Sequence, residues 1–195
     1  TEKDASDHYT VNFETTSGKT NRWMTQFARP VVYENRATED KKLLTYTSAP
    51  LDQDTQITGY PVVTLYVASS EADCAFFVYL EDMDETGYVR YITEGQLRAI
   101  HHKISDEPLP YVTGMPNRSY KRADSSPLPI GKTVEIVIGL QPTSVLIKKG
   151  HRIRVAIAGA DKDTFAKIPA NATPTWTISR DSVRASYISL PIINS

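Results

Sequence analysis

Apolar and polar positions alternate most clearly between residues 144 and 159, SVLIKKGHRIRVAIAG. Val145, Leu146 and Ile147 form a short apolar run, and Lys148-Lys149-Gly150 supplies a turn. Ile153, Val155 and Ile157 then alternate with Arg152, Arg154 and Ala156. A period of two puts one set on a buried face and the other on a wet one. The stretch therefore predicts a strand–turn–strand hairpin in an antiparallel sheet that covers a core on one side. Lys132 to Leu140 alternates in the same way, with Val134, Ile136 and Ile138 inward. Pro61 to Ser69 and Ala75 to Asp82 are apolar on both faces, which fits central strands. Asp84-Glu85-Thr86-Gly87 predicts a turn between Ala75–Asp82 and a returning strand from Tyr88 to Thr93. Further strands are expected at 9–13, 43–47, 55–58, 175–179 and 187–193, the last broken at Pro191. Arg22-Trp23-Met24 could open another. Residues 95–104 fit both periods and read as strand by context. Asn35 to Lys42 reads as a charged loop or one helical turn, and the proline-rich stretch 105–129 as a long packed flap or functional loop. Eight to ten short strands with frequent turns and no convincing helix predict an all-β chain, a jelly-roll β-sandwich of two antiparallel sheets.

Composition narrows the class. The chain has 195 residues, 22 Lys+Arg against 23 Asp+Glu, and 40% apolar residues. A near-neutral chain without a basic stripe argues against a nucleic-acid partner, and no apolar run is long enough to span a membrane as a helix. The opening TEKDASDHY has no apolar core; residues 1–8 read as a frayed polar linker, and 1–20 as a lead-in to a domain covering 21–195. With one cysteine no intrachain disulfide can form, and Cys74, placed before AFFVYL, reads as a buried small hydrophobe.

Candidate chemistry is sparse. No G-x-S-x-G elbow is present. His101 and His102 are adjacent, so on a strand they would point to opposite faces; His8 and His151 lie far from them, and His151 is expected to hydrogen-bond a loop. Glu81, Asp82, Asp84 and Glu85 crowd a turn without the spacing of a calcium loop and read as a solvated tip. Trp23, Trp176 and eleven tyrosines could supply a sugar-binding platform, although aromatics also fill sandwich cores. Asn117-Arg118-Ser119 and Asn171-Ala172-Thr173 match the glycosylation sequon at the level of chance. No catalytic, cofactor-binding or metal-ligating residue is assigned, and no cofactor is expected.

Four blocks carry a resemblance: LLTYTSAPLDQDTQITGYPVVTLYVASS at 43–70, YLEDMDETGYVRYITEGQLRA at 79–99, LQPTSVLIKKGHRIRVAIAGAD at 140–161 and ISLPII at 188–193. Their order and spacing resemble the carboxy-terminal β domain of the X-prolyl dipeptidyl-peptidase and cocaine-esterase-like hydrolases, and TSGKTNRW at 16–23 looks like that family's lead-in. The resemblance implies a galactose-binding-like jelly roll packed against an α/β-hydrolase module that carries a Ser-Asp-His triad. None of the triad falls in this chain, and the histidine of GHRIR belongs to a structural block. The implied role is to buttress the hydrolase module and shape the substrate entrance. The implied partner is that module, with homo-oligomers possible through the parent enzyme. A carbohydrate-binding module is the rival reading, expected to show exposed coplanar aromatics.

Overall fold

A computed structural model describes residues 5–108, 110 and 114–193. Twelve strands follow in chain order: β1 Ser6–Thr10, β2 Leu44–Thr47, β3 Thr55–Gly59, β4 Val62–Ser69, β5 Ala75–Met83, β6 Val89–Arg98, β7 Val134–Gly139, β8 Thr143–Ile147, β9 Arg152–Ala158, β10 Thr175–Ser179, β11 Tyr187–Ser189 and β12 Ile192–Ile193. All pairings between them are antiparallel.

The apolar runs sort these strands into two principal sheets. In the first, β4 lies between β7 on one side and β10 and β11 on the other, and β1 adds to β10. In the second, the order is β2-β9-β5-β6. Side chains of period two meet between them: Val63, Leu65 and Val67 of β4, Ile136 and Ile138 of β7, and Trp176 and Ile178 of β10 face Phe76, Val78 and Leu80 of β5, Leu97 of β6, and Val155 and Ile157 of β9. Each fully buried side chain of this size contributes roughly 1.5–3 kcal/mol relative to exposure. The result is an antiparallel β-sandwich, as the strand pattern predicts. At one edge the two sheets come into backbone contact. A Cβ on Gly95 of β6 would stand 2.4 Å from the carbonyl oxygen of Gly139 at the end of β7, so only glycine fits. Thr93 Oγ1 donates to the Gln141 carbonyl at 2.8 Å, and Gln141 N–H to the Glu94 carbonyl at 2.8 Å, fastening that edge.

Several expectations are corrected. Residues 144–159 form two strands but no hairpin: β8 pairs with β3, whereas β9 pairs with β2 and β5. The glycine turn carries the chain from a third, three-stranded sheet, β12-β3-β8, into the second sheet. The sequence pattern shows a turn, but which strands lie on its flanks is decided by tertiary packing. Ser6 to Thr10, expected in part as frayed linker, is a strand paired along its length with β10. Arg22–Phe27 is a 3-10 turn and not a strand, and β6 ends at Arg98 with a 3-10 turn over Ala99–His101. Glu39–Lys42 forms the single helical turn expected there. The proline-rich stretch is packed where it is described: Arg118 donates to the carbonyls of His101 and Val137, and Leu128 is buried. Leu109 and 111–113 of that stretch lie outside the described residues, as do 1–4 of the opening segment.

Candidate functional site

The second sheet has two covered faces, and the outer one is where the polar chemistry collects. On β5 the alternation that sends Phe76, Val78 and Leu80 inward sends Phe77, Tyr79 and Glu81 outward. On β6 the partners of these three are Gln96, Glu94 and Tyr91. A bulge between Leu80 and Glu81 shifts the register by one residue, which brings Tyr91 opposite Glu81. From β9, Arg154 and Ala156 share this face, so the side of β9 expected to be wet is covered; Ala156 is fully buried.

Residues 15–40 and 161–168 form the cover. Asn21, fully buried, caps the 3-10 turn Arg22–Phe27 by accepting from Trp23 N–H at 3.1 Å, and Ala28 ends the turn in a left-handed conformation, φ 54°. The Asn21 side-chain amide donates to Thr164 Oγ1 at 2.7 Å and to Ser17 Oγ at 2.8 Å, which joins the two covering segments. Ser17 in turn donates to Asp161. Trp23 packs edge-on against Phe165 with centroids 5.4 Å apart, and Phe165 rests on Phe77 at 5.0 Å. Tyr33 stacks on Tyr91 at 3.7 Å.

Beneath this cover lies an ionic cluster. Arg36 Nε meets Glu81 Oε1 at 2.6 Å, and its guanidinium carbon sits 4.4 Å from the Tyr79 ring centroid. Asp40 lies 4.0 Å from Arg36 Nε and pairs with Arg154 Nη1 at 2.8 Å. Tyr79 O–H donates to Asp161 at 3.3 Å. Asp40, Glu81, Glu94 and Asp161 are all at least nine-tenths buried, and two guanidiniums stand against these four carboxylates. The acid surplus shows in proton affinity. Burial pushes Glu94 up to about 7, helped by the charge of Asp161 and opposed by Trp23, Arg22 and Arg36. Burial likewise raises Glu81, with Arg36 opposing and Asp40 adding to the rise. Asp161 is raised by burial against the hydrogen bonds from Ser17 and Tyr79. Burial works against the charge of Arg36, but Glu81, Tyr79 and Asp40 carry it above its ordinary value. Such an arrangement can store protons and fix the covering segments. The hydroxyls that meet its carboxylates, Ser17 and Tyr79 on Asp161, are buried beneath the cover.

The residues weighed from the sequence fall elsewhere. His8 pairs with Thr177 Oγ1 at 3.0 Å, His101 lies edge-on to Tyr120, and His102 Nδ1 is 2.9 Å from the Ala99 carbonyl. His151 Nδ1 meets Asp82 Oδ1 of β5 at 2.7 Å, and its backbone carbonyl accepts from the loop residue Leu51 at 2.8 Å, so it holds a strand residue as well as the loop expected. Among the described residues no three His, Cys, Asp or Glu side chains are placed to hold a metal ion. Cys74 is fully buried, and burial drives its thiol up to about 12. Asp84 does cap the turn: Thr86 Oγ1 and the Thr86 and Tyr88 N–H groups donate to it and hold its acid near 2. Glu81 and Asp82 depart from the solvated tip expected of that acidic group: both are buried, Glu81 completely. Trp176 lies in the core, 4.6 Å from Phe76, while Trp23 is on the outer face of the opposite sheet, so the two tryptophans share no platform. Arg36, Asp40 and Glu94 carry no motif. The available signal was Glu81 directly after the apolar run of β5, and Glu94 on β6 in step with Gln96.

Comparison with known proteins bears on what such a domain is for. A protein of Mycobacterium bovis named as a serine esterase is 48% identical over 190 residues, which is 96% of this chain and 30% of that protein. A Streptomyces avermitilis protein named as an Xaa-Pro dipeptidyl-peptidase is 38% identical over 64 residues. The chain thus spans about a third or less of the length of these relatives. Among solved structures, an aminopeptidase from a marine-sediment thaumarchaeon superposes with TM-score 0.72 at 17% identity, over 99% of this chain and 34% of that one. An α-amino acid ester hydrolase gives TM-score 0.71 at 18% identity over 96% and 32%, which establishes a shared fold. Residues 3–189 match the family described as the X-Pro dipeptidyl-peptidase C-terminal non-catalytic domain, and the chain belongs to that family.

Proposed function

We propose that this chain is the companion domain of a serine hydrolase acting on esters or on peptides with proline in second position. In this reading it makes and breaks no bond; it supports a separate catalytic module and borders the route to its active site. The observation that carries the reading is the family match over residues 3–189, in a chain that aligns with only 30% of a protein named as a serine esterase. The absence from this chain of a nucleophile elbow agrees with it. The parent would attack a carbonyl with an activated serine, with charge on the developing oxyanion held by N–H donors. The test is hydrolysis of p-nitrophenyl acetate by the full-length parent and by the 195-residue chain. Turnover by the parent, abolished by altering a serine outside this chain, is the expected result. Turnover by the chain alone, lost on altering one of its own serines or histidines, would overturn the reading.

A further inference from the structure

The second sheet and its cover meet carboxyl against carboxyl. Glu81 of β5 and Glu94 of β6 stand on the sheet, Asp40 and Asp161 stand in the covering segments, and all four are at least nine-tenths buried. Glu81 faces Arg36 and Asp40 from the cover, Arg154 from β9 and Tyr91 from β6. Glu94 faces Arg22, Trp23, Tyr33 and Arg36 from the cover, Asp161 from 161–168, Tyr79 from β5 and Tyr91 from its own strand.

The hydrogen bonds of this boundary need protons. Glu81 Oε1 accepts from Arg36 Nε, and Asp40 Oδ2 accepts from Arg154 Nη1. The oxygens left over, Glu81 Oε2 and Asp40 Oδ1, meet no N–H or O–H donor among the described residues. The two carboxyl groups are nevertheless hydrogen-bonded to each other. A carboxylate only accepts, so that bond exists when one of the pair carries a proton. Glu94 is placed in the same way. The donor beside it is the Trp23 indole, which approaches without forming a well-aligned bond, and Asp161 adds a second negative charge. A fully buried acid with no cation paired to it keeps its proton, because the charged form would lose water and gain little in return.

We propose that the cover is a proton-held latch: Glu81 and Glu94, protonated, close residues 15–40 onto the sheet, and loss of their protons sets carboxylate against carboxylate across the boundary and loosens it. Burial sets the range. Glu94 titrates at about 7 in the folded chain against an ordinary 4.5, and Glu81 is raised in the same direction. A group raised on folding supports its contact below the ordinary value and gives it up as pH climbs through the folded one. The latch is therefore closed in acid and loosens through neutrality. The interior between the two principal sheets is apolar, so the same proton loss leaves Trp176 enclosed.

Acrylamide quenching of tryptophan fluorescence reads the latch, because one of the two tryptophans, Trp23, lies in the cover and the other, Trp176, in the core. Trp23→Phe leaves Trp176 as the sole reporter, so the difference between the unaltered chain and this variant isolates Trp23. The expected result is a several-fold rise in Trp23 quenching from about pH 5 to about pH 8, centred at about 7, with Trp176 equally shielded at both. Glu81→Gln with Glu94→Gln replaces each acid by an amide that both donates and accepts, as the protonated acid does. In that double variant Trp23 stays shielded at both pH values. Equal quenching of Trp23 at the two pH values in the unaltered chain overturns the proposal, whether or not the double variant folds. Exposure of Trp176 together with Trp23 at the higher pH also overturns it, since the whole domain is then opening. A double variant that keeps its thermal transition and still exposes Trp23 as pH rises overturns it as well, because other groups then drive the change.

Discussion

The two faces of β5 differ by one step along the chain and are built on different principles. Inward, Phe76, Val78 and Leu80 meet Trp176, Val67 and Ile138 in a dry interior of apolar side chains. Outward, Phe77, Tyr79 and Glu81 support a cluster in which four buried carboxylates face two guanidiniums. The inner face supplies the folding energy. The outer face gains little net stability from its ion pairs, because desolvation offsets most of the Coulomb attraction. Its charges instead fix one geometry for a cover that hydrophobic contact alone would leave loosely placed. The difference teaches that burial has two uses here, one to fold the domain and one to fix the geometry of its cover.

The largest effect is expected inside. Trp176→Ala, which empties the centre of the sandwich, should cost about 3–5 kcal/mol in equilibrium denaturation. Arg36→Ala should approach that loss, about 3–5 kcal/mol, because Glu81 is then left buried without its cation, while Asp40 keeps Arg154. The sharper experiment is the pair Arg36→Met with Glu81→Leu, expected to return stability to within about 1 kcal/mol of the unaltered chain. A double variant as unstable as Arg36→Ala would mean that the cluster does contribute to folding and that the two faces are alike.

Next comes pH. Glu94 rises from the ordinary 4.5 to about 7 on folding, so the unfolded chain releases its proton first as pH increases. Its contribution is complete below about pH 4.5 and is lost as pH climbs through 7. Glu81 and Asp161 are shifted in the same direction. Stability should therefore fall between pH 5 and 8, and Glu94→Gln should remove up to about 3 kcal/mol of that fall. Denaturation curves at a series of pH values check it; a variant with the same slope as the unaltered chain would show that Glu94 is not the group responsible. The smallest effect belongs to the cap: Asn21→Ala should cost about 1 kcal/mol and speed hydrogen exchange over Arg22–Phe27.

Much of the inner face was legible. Val63, Leu65 and Val67, and Ile136 and Ile138, announce their strands by period two, and each sits where that period puts it. What failed were statements about partners. Lys148-Lys149-Gly150 makes a turn whether its flanking strands pair with each other or with β3, β2 and β5, so the hairpin could not be distinguished from a crossing between sheets. Arg22-Trp23-Met24 resembled a strand because three residues carry no period, and the deciding contact, Asn21 with Thr164, spans 143 positions. The ionic cluster was hidden for the same reason. Arg36 and Asp40 sit in NRATEDKK, which reads as a charged loop or one helical turn, and only the covering of the β5–β9 face buries them.

Hydrogen exchange tests the central claim most directly, comparing the unaltered chain with the Arg36→Met, Glu81→Leu pair. If the ionic cluster fixes the cover, amides across Arg22–Phe27 exchange markedly faster in the pair, while those of β4 and β7 exchange alike in both. Equal exchange over Arg22–Phe27 in the two proteins would contradict it.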